Sequence, residues 1–373
     1  MIIDLPSTST SALNRRLVDL RETGGAVALG RVLTLVICTG DEEAEEAIAA
    51  ANDASREHPC RVLVVVRRQI EAPSPRLDAE VVIGGRLGPG EAVVMRMYGR
   101  LALHAESVVL PLLAADAPVV AWWHAPAPEQ LATDALSVVA DRRITDSSLA
   151  EDPLAALRTR GQDYVPGDTD LAWTRGTAWR TTLTSTLDAV AGRRGEPVRL
   201  RSGQLTGDPR NPTAQLLAGW LSARGECPVD IEVGSRRAGP SGVEAVALQL
   251  DQDEEVQVAA DHRGGAVISQ PYRPDSTVAL PERVLGDLLS EELRRLDPDE
   301  PYADALSSAT GIAGLTERAR ARQHIWFDPA ENDGEEAGPP GRTDSAESDE
   351  VAPSGEGDDD APAPADVHPG RTS

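Results

Sequence analysis

The chain has 373 residues, 40% of them hydrophobic, and carries a formal net charge of −25 with a sequence pI near 4.6. That length exceeds one ordinary core and calls for two domains of about 100 to 200 residues each. The acidic balance excludes a nucleic acid or an anionic membrane as partner, since both need basic surface to displace counterions, and leaves a protein or a small molecule.

The opening MIIDLPSTSTS has no basic segment, and no apolar run approaches the roughly 18 residues of a membrane span, so neither a signal peptide nor a span is expected. Ser7 to Ser11 offer helix caps and Leu13, Leu17 and Leu20 share one helical face, with Gly24 and Gly25 as the stop. RVLTLVICTG is a continuous apolar strand from about Val32 to Cys38. DEEAEEAIAAANDASREH follows as a helix whose acidic first turn suits the positive helix terminus, with Ala44, Ala47, Ile48 and Ala51 on one face. Cys60 to Arg67 is a second buried strand. Strand, helix and strand in this order, both strands apolar throughout, predict a right-handed parallel crossover covered on both faces. AEVVIGG and AVVMRMYG are two more strands, LALHAESVVLPLLAAD is a helix interrupted at Pro111, and PVVAWW is another buried strand. PEQLATDALSVVA is a helix, RRITDSS a strand and DPLAALRTRG a helix. The expected fold class is α/β, beginning with an N-terminal open, mostly parallel sheet flanked by helices. Ligands and partners of such sheets meet the crevice beyond the carboxyl ends of the strands.

Residues 169 to 190 are a helix or helix pair closing a first domain of residues 1–191, and GRRGEP, 192–197, is the linker. The remainder, 198–327, changes character. VRLRSG and VDIEVG are strands around the helix TAQLLAGWLSARG, and residues 243–273 alternate as an antiparallel meander with turns at DQDE and HRGG. A helix follows whose apolar face is Val284, Leu285, Leu288, Leu289 and Leu293. This predicts a smaller α+β domain. From Asp328 onward fourteen Asp and Glu stand against Arg342 and Arg371, so 328–373 is expected to be a disordered acidic tail, unable to bury enough surface to offset its ordering entropy.

Chemistry is sparse. VIGGRLGPGEA lacks the GxGxxG spacing, and Pro89 removes a backbone donor, so it reads as a turn before a phosphate cradle. His104 with Glu106, and His124 with Asp141, are the acid/base pairs on offer, against the plainer reading of satisfied hydrogen-bonders. Cys38, Cys60 and Cys227 are odd in number, widely spaced and without CxxC, which fits a reducing cytoplasm and no zinc site. All 36 basic residues are arginine, a pattern that fits codon bias better than selection for bidentate contacts. No catalytic residue, metal or cofactor site is assigned. The stronger signals are aromatic and basic. DLAWTRGTAWR places Asp170, Trp173, Arg175, Trp179 and Arg180 within three helical turns, with Trp173 and Arg180 on one face and Arg175 and Trp179 spaced to stack. Arg142 and Arg143 lie beside Asp146 at a strand end. In PVVAWWHAPAP, alternation sends Trp122 and Trp123 to opposite faces. Partner contact is assigned to Trp122, Trp123, Arg142, Arg143, Asp170, Trp173, Arg175, Trp179 and Arg180, with core packing as the competing reading for the tryptophans and a solvated ion-pair cluster for Arg142 and Arg143.

GGAVALGRVLTLVI, HAESVVLPLL followed by PVVAWW, DRRI-x-DS, and PGDTDLAWTR with the following WR resemble the actinobacterial glucose-6-phosphate dehydrogenase assembly protein family, OpcA. The resemblance runs through the YRPDSTVALPERVLGDLLSEELRRLDPDEPYADAL block and covers all but the tail. Family members commonly carry proline and glycine after the double tryptophan, where this chain has His124-Ala125-Pro126, and leucine where it has Gly176. The resemblance implies a non-catalytic, cytoplasmic partner that binds glucose-6-phosphate dehydrogenase, promotes its active oligomer and raises its activity. In the cyanobacterial branch it also implies redox control, to which these cysteines add nothing. The competing expectations are a sugar-phosphate enzyme or sensor with Arg142, Arg143 and His124 around an anion in the strand-end crevice, and a scaffold whose tail recruits other proteins.

Overall fold

Strands that are apolar along their whole length must be covered on both faces, and the computed structural model of the chain is built around three of them. It describes residues 2–23, 33–83, 91–114, 116–234, 239–261 and 263–319; the glycine stop at 24–25, the glycine-rich loop at 84–90 and the acidic segment 328–373 lie outside these. The chain begins β1 (Ile2–Thr8), α1 (Thr10–Thr23), β2 (Leu33–Thr39), α2 (Ala44–Ala54), β3 (Cys60–Arg67), β4 (Arg76–Ile83), β5 (Glu91–Tyr98), α3 (Arg100–Leu103) and α4 (Ala105–Val109). It continues β6 (Val119–His124), α5 (Ala135–Val138), β7 (Arg142–Thr145), α6 (Pro153–Asp163), β8 (Asp168–Asp170), α7 (Leu171–Arg175) and α8 (Thr177–Arg194).

These strands form one sheet in the order β1-β4-β5-β3-β2-β6-β7-β8. From β5 to β8 all neighbours are parallel, whereas β4 runs antiparallel to β5, and β1 antiparallel to β4. The expected parallel core is present, with an antiparallel edge. The lead around Ile2 and Ile3 is itself a strand, because Ile3 and Leu5 alternate onto the core. Leu13, Leu17 and Leu20 of α1 are buried on one face of the sheet, beside α3 and α4, and Trp123 lies with them. The alanines of α2 cover the other face, with Trp122 beneath. The helix expected over 128–140 shrinks to a 3₁₀ turn and α5, which starts anew where the Asp134 carboxylate accepts from the Leu136 and Ser137 amides.

The second half runs β9 (Leu200–Gly207), α9 (Pro212–Gly225), β10 (Val229–Val233), β11 (Val243–Leu250), β12 (Glu255–Ala260), β13 (Gly265–Gln270), β14 (Arg273–Ala279), α10 (Leu285–Leu293) and α11 (Glu300–Thr310). Its sheet has the order β10-β9-β11-β12-β13-β14. β9, α9 and β10 are a parallel crossover; β11 to β13 form the expected antiparallel meander, and β14, beyond the expected stretch, extends it by one more antiparallel strand.

Two helices work for the sheet other than the one nearest in sequence. α8 buries Trp179, Leu183 and Val190 in the core of the second sheet, not the first. Conversely, α10 returns to α2 and sets Leu288, Leu289 and Leu293 into the core of the first sheet. Val284, expected on that apolar face, caps the helix and is exposed. All described residues belong to one compact unit, Met1–Trp326.

α9 and α11 approach through Gly219, where an added Cβ would stand 2.4 Å from the Ala305 carbonyl oxygen and 3.0 Å from the Ala309 nitrogen. Neither is a flexible side-chain end. Gly219→Val is therefore expected to lower stability by at least about 1–3 kcal/mol through overpacking, read as a lower urea midpoint with an unchanged m-value; an unshifted midpoint would show that the helices have slack.

Candidate functional site

In an open parallel sheet, the crevice beyond the carboxyl ends of the strands deepens where the strand order reverses. Here β3 lies on one side of β2 and β6 on the other, so that point falls between Thr39 and His124, which pair in register. A helix N-terminus faces such a crevice and ordinarily welcomes an anion. In this chain the position is filled by its own acids. DEEAEE runs from Asp41 to Glu46 into the first turn of α2, and all five carboxylates belong to exposed residues. The Glu43 carboxylate folds back against Gly40, so that a Cβ there would meet it at 2.2 Å. Asp41 pairs with Arg68, and Glu46 Oε2 lies 3.2 Å from His124 Nε2. These charges stabilise the helix end, and they repel any phosphate that approaches it.

His124 is buried against the Trp122 ring, centroid to centroid 4.9 Å. Its expected partner Asp141 is at the opposite end of the strands, accepting from the Val119 amide at 3.0 Å, because β6 separates the two in space. His104 does meet Glu106, at 3.4 Å. The constellation of His124, Arg142 and Arg143 around an anion does not form, because both arginines are consumed inside the protein. Arg142 is 2% exposed and Arg143 1%. Arg142 donates through Nε (3.1 Å) and Nη2 to Glu292 Oε2 of α10, and through Nη1 to the Asp297 carbonyl at 3.0 Å. The remaining Glu292 oxygen accepts from Thr174 Oγ1 at 2.5 Å. Arg143 pairs with Asp168 and donates to the Pro166 carbonyl at 2.9 Å.

The DLAWTRGTAWR segment is one strand end and two helices. Asp170 ends β8 and accepts from the Ala172 amide (2.9 Å), Thr145 Oγ1 (2.9 Å) and Ser147 Oγ (2.6 Å). Burial, then the nearby Asp146 carboxylate, push its carboxyl above the usual range, against those hydrogen bonds. Arg175 grips Asp146 through two nitrogens, at 2.8 and 2.5 Å. Gly176 stands between α7 and α8, and its bare Cα leaves room for the Arg180 guanidinium, which an added Cβ would meet at 3.0 Å. The Arg180 guanidinium lies 3.4 Å over the Trp173 ring and donates to the Trp173 carbonyl at 2.6 Å. Burial lowers its pKa to about 10. A desolvated cation over indole contributes about 2 kcal/mol. The Trp173 Nε1 donates to Asp299 at 3.0 Å. Trp173 and Arg180 thus meet as their spacing predicts; Arg175 turns from Trp179 to Asp146.

Of the nine residues assigned to partner contact, seven are buried inside the fold and Arg175 and Arg180 are half-buried, and several reach the walls of two clefts. Arg175 and Trp179 line one of about 480 Å³, shared with Ser241, Leu280 and Arg283. Arg142, Trp173 and Arg180 line another of about 380 Å³, with Trp220 and Glu291. Asp146, read from sequence beside Arg142 and Arg143, instead holds Arg175, while Asp168, Glu292 and Asp299 were not singled out as partners from sequence. Glu292 was within reach: it stands four residues after Leu288 and three after Leu289, inside the apolar stripe of its helix, where an acid needs a partner. Among the described residues no helix is long and apolar enough to cross a membrane, and no three His, Cys, Asp or Glu cluster as a metal site.

Residues 51–162 match the glucose-6-phosphate dehydrogenase subunit N-terminal domain and residues 166–306 the corresponding C-terminal domain, both of OpcA type. The chain belongs to the OpcA family of glucose-6-phosphate dehydrogenase assembly proteins. The two family domains meet between α6 and β8, so the arginine clamp on Glu292 joins one to the other. Curated proteins give no match. Among solved structures, an oxidoreductase from Sinorhizobium meliloti is similar at a TM-score of 0.44 and 10% identity, over 76% of this chain and 96% of that one. An inositol dehydrogenase homolog from Azotobacter vinelandii, complexed with NADH and myo-inositol, is similar at 0.38 and 10%, over 79% and 91%. Likeness at this level carries no functional argument.

Two outcomes follow from the geometry. Glu292→Gln leaves Arg142 buried without its counter-charge and is expected to cost about 3–5 kcal/mol, most of it regained in an Arg142→Met, Glu292→Leu double variant; urea unfolding of the three proteins measures both, and a negligible single-variant loss would show the pair to be slack. Burial pushes the Cys38 thiol up to about 12 and the Cys60 thiol up to about 11. With so little thiolate, neither should react with iodoacetamide at pH 8 in the native protein, while both should react in urea; peptide mass mapping reads the difference.

Proposed function

We propose that this chain is a non-catalytic, cytoplasmic partner that binds glucose-6-phosphate dehydrogenase and promotes its active oligomer. Membership of the assembly family supplies the enzyme's name, and the observation that carries the non-catalytic reading is the acid-filled first turn of α2. A doubly wound sheet offers its ligand crevice there, and five carboxylates make it hostile to nucleotide and sugar phosphates alike. Three free, buried cysteines suit a reducing compartment.

The mechanism needs no chemistry from this chain. A partner that binds the assembled form of the enzyme and not its dissociated form shifts the population by its differential affinity. Free partner at a hundredfold its Kd contributes about 2.7 kcal/mol to the form it binds, or roughly a hundredfold in the assembly equilibrium. Rigidity helps, because a surface already ordered loses less entropy on docking. The buried arginine clamps supply that rigidity here.

Sedimentation velocity and steady-state kinetics of the dehydrogenase, with and without this protein, test the proposal. A shift to larger species together with a higher rate is expected; unchanged assembly and unchanged rate would sink it. Titration calorimetry of the isolated protein with glucose 6-phosphate and 6-phosphogluconate is expected to show no binding, and tight binding of either would favour a sugar-phosphate sensor instead.

A further inference from the structure

Among the described residues, helices cover the second sheet on one side. α8 and α9 pack on the face that carries Leu205, Val246, Leu248, Val256, Val258 and Ile268. Among the described residues no element lies on the opposite face, and its central side chains are small. Ala245, Ala259 and Val267 follow one another across β11, β12 and β13, and in the next row Ala247 sits between Gln204 and Gln257. Alanine is a poor strand former, and these alanines, half-buried among their neighbours, bring little packing of their own to the sheet. A face that only had to meet water would carry β-branched and charged residues. This one is flat and uncharged at its centre.

Charge returns at the rim, and most of it is acidic. Asp230 and Glu232 project from β10 on this side, paired in register with Gln204 and Thr206. Asp275 of β14 accepts from Ser269 Oγ at 2.8 Å, and Arg273 is the basic exception on that strand. The two edge strands are themselves guarded against strand addition: β10 by those acids, β14 by Pro274. The open route is face-on. At the tip of the β13–β14 hairpin Tyr272 is 92% exposed with φ of 59°, an aromatic of the type that anchors interfaces.

We propose that this open face is the surface on which the dehydrogenase docks, through a flat face of small side chains bordered by basic residues. The proposal rests on the function proposed above. Charge selects a different protein over a second copy of this chain. The face measures about 25 Å by about 17 Å from strand spacing and rise, roughly half of the about 800 Å² per partner that a stable interface buries, so any occupant must reach beyond it, and the choice between occupants falls to charge. Pairing it with itself sets one acidic rim against another, which costs affinity. A partner with a basic rim has its charges matched and can extend beyond the face onto the hairpin tip.

Ala247→Arg and Ala259→Arg put a long charge on half-buried positions of this face, from which the side chain can extend into solvent, and should leave the urea midpoint in place. Each is expected to weaken dehydrogenase binding by on the order of a hundredfold in sedimentation or calorimetry. Tyr272→Ala, outside the sheet, and Asp230→Arg should each weaken it by about tenfold, the latter with a shallower salt dependence. Wild-type binding that these changes leave undiminished overturns the docking face and spares the proposed function. Failure of the wild type to bind overturns the function and the face with it. A wild type that is dimeric alone and becomes monomeric on Ala247→Arg, with dehydrogenase binding intact, assigns the face to self-association and overturns the proposal.

Discussion

The fold depends on keeping two guanidinium groups paired inside it. Arg142 and Arg143 are neighbours on β7, a strand of four residues, and both are buried. Alternation sends one toward Glu292 and the other toward Asp168. An unpaired charge in such a place costs several kcal/mol, so the strand is stable only when β8 lies beside it and α10 lies over it. The Glu292 partner comes from 150 residues later in the chain. That one pair obliges the C-terminal half to return to the first sheet, and the leucines of α10 then complete its core. Breaking such a pair by removing one partner is costly, whereas replacing both by apolar groups is often nearly neutral; the Arg142–Glu292 pair bridges the two family domains.

Charge elsewhere is distributed to keep surfaces apart or open. The five carboxylates at the start of α2 strengthen the helix end, and two of them pair with Arg68 and His124. The second sheet has the opposite design: a bare centre and acids at the rim. The chain is acidic overall, and both features use that acidity at defined places.

Legibility followed the range of the interaction concerned. Leu13, Leu17 and Leu20, the alanines of α2 and the alternation of Trp122 and Trp123 depend on period alone, and each takes the face its spacing implies. Trp173 and Arg180, one helical repeat apart, meet as well, even across the break at Gly176. Pairings between distant segments were not legible. Arg175 lies within reach of Trp179 by helical spacing, yet a bidentate grip on Asp146 wins, because a buried carboxylate binds a guanidinium more strongly than a ring face does. His124 was matched to an acid on its own side of the sequence and found one on α2.

By itself the sequence determined most of the elements of the first sheet, the buried faces of α1 and α2, the α/β class and the family, all of which rest on local period, capping residues and short motifs; β1, β8, β14 and α11 it did not give. Only the tertiary structure decided which sheet each helix serves, which acid neutralises each arginine, and which face of the second sheet stays open. Those are choices among partners of equal chemistry far apart in the chain, and side-chain type does not distinguish one buried carboxylate from another until the fold has brought them within reach.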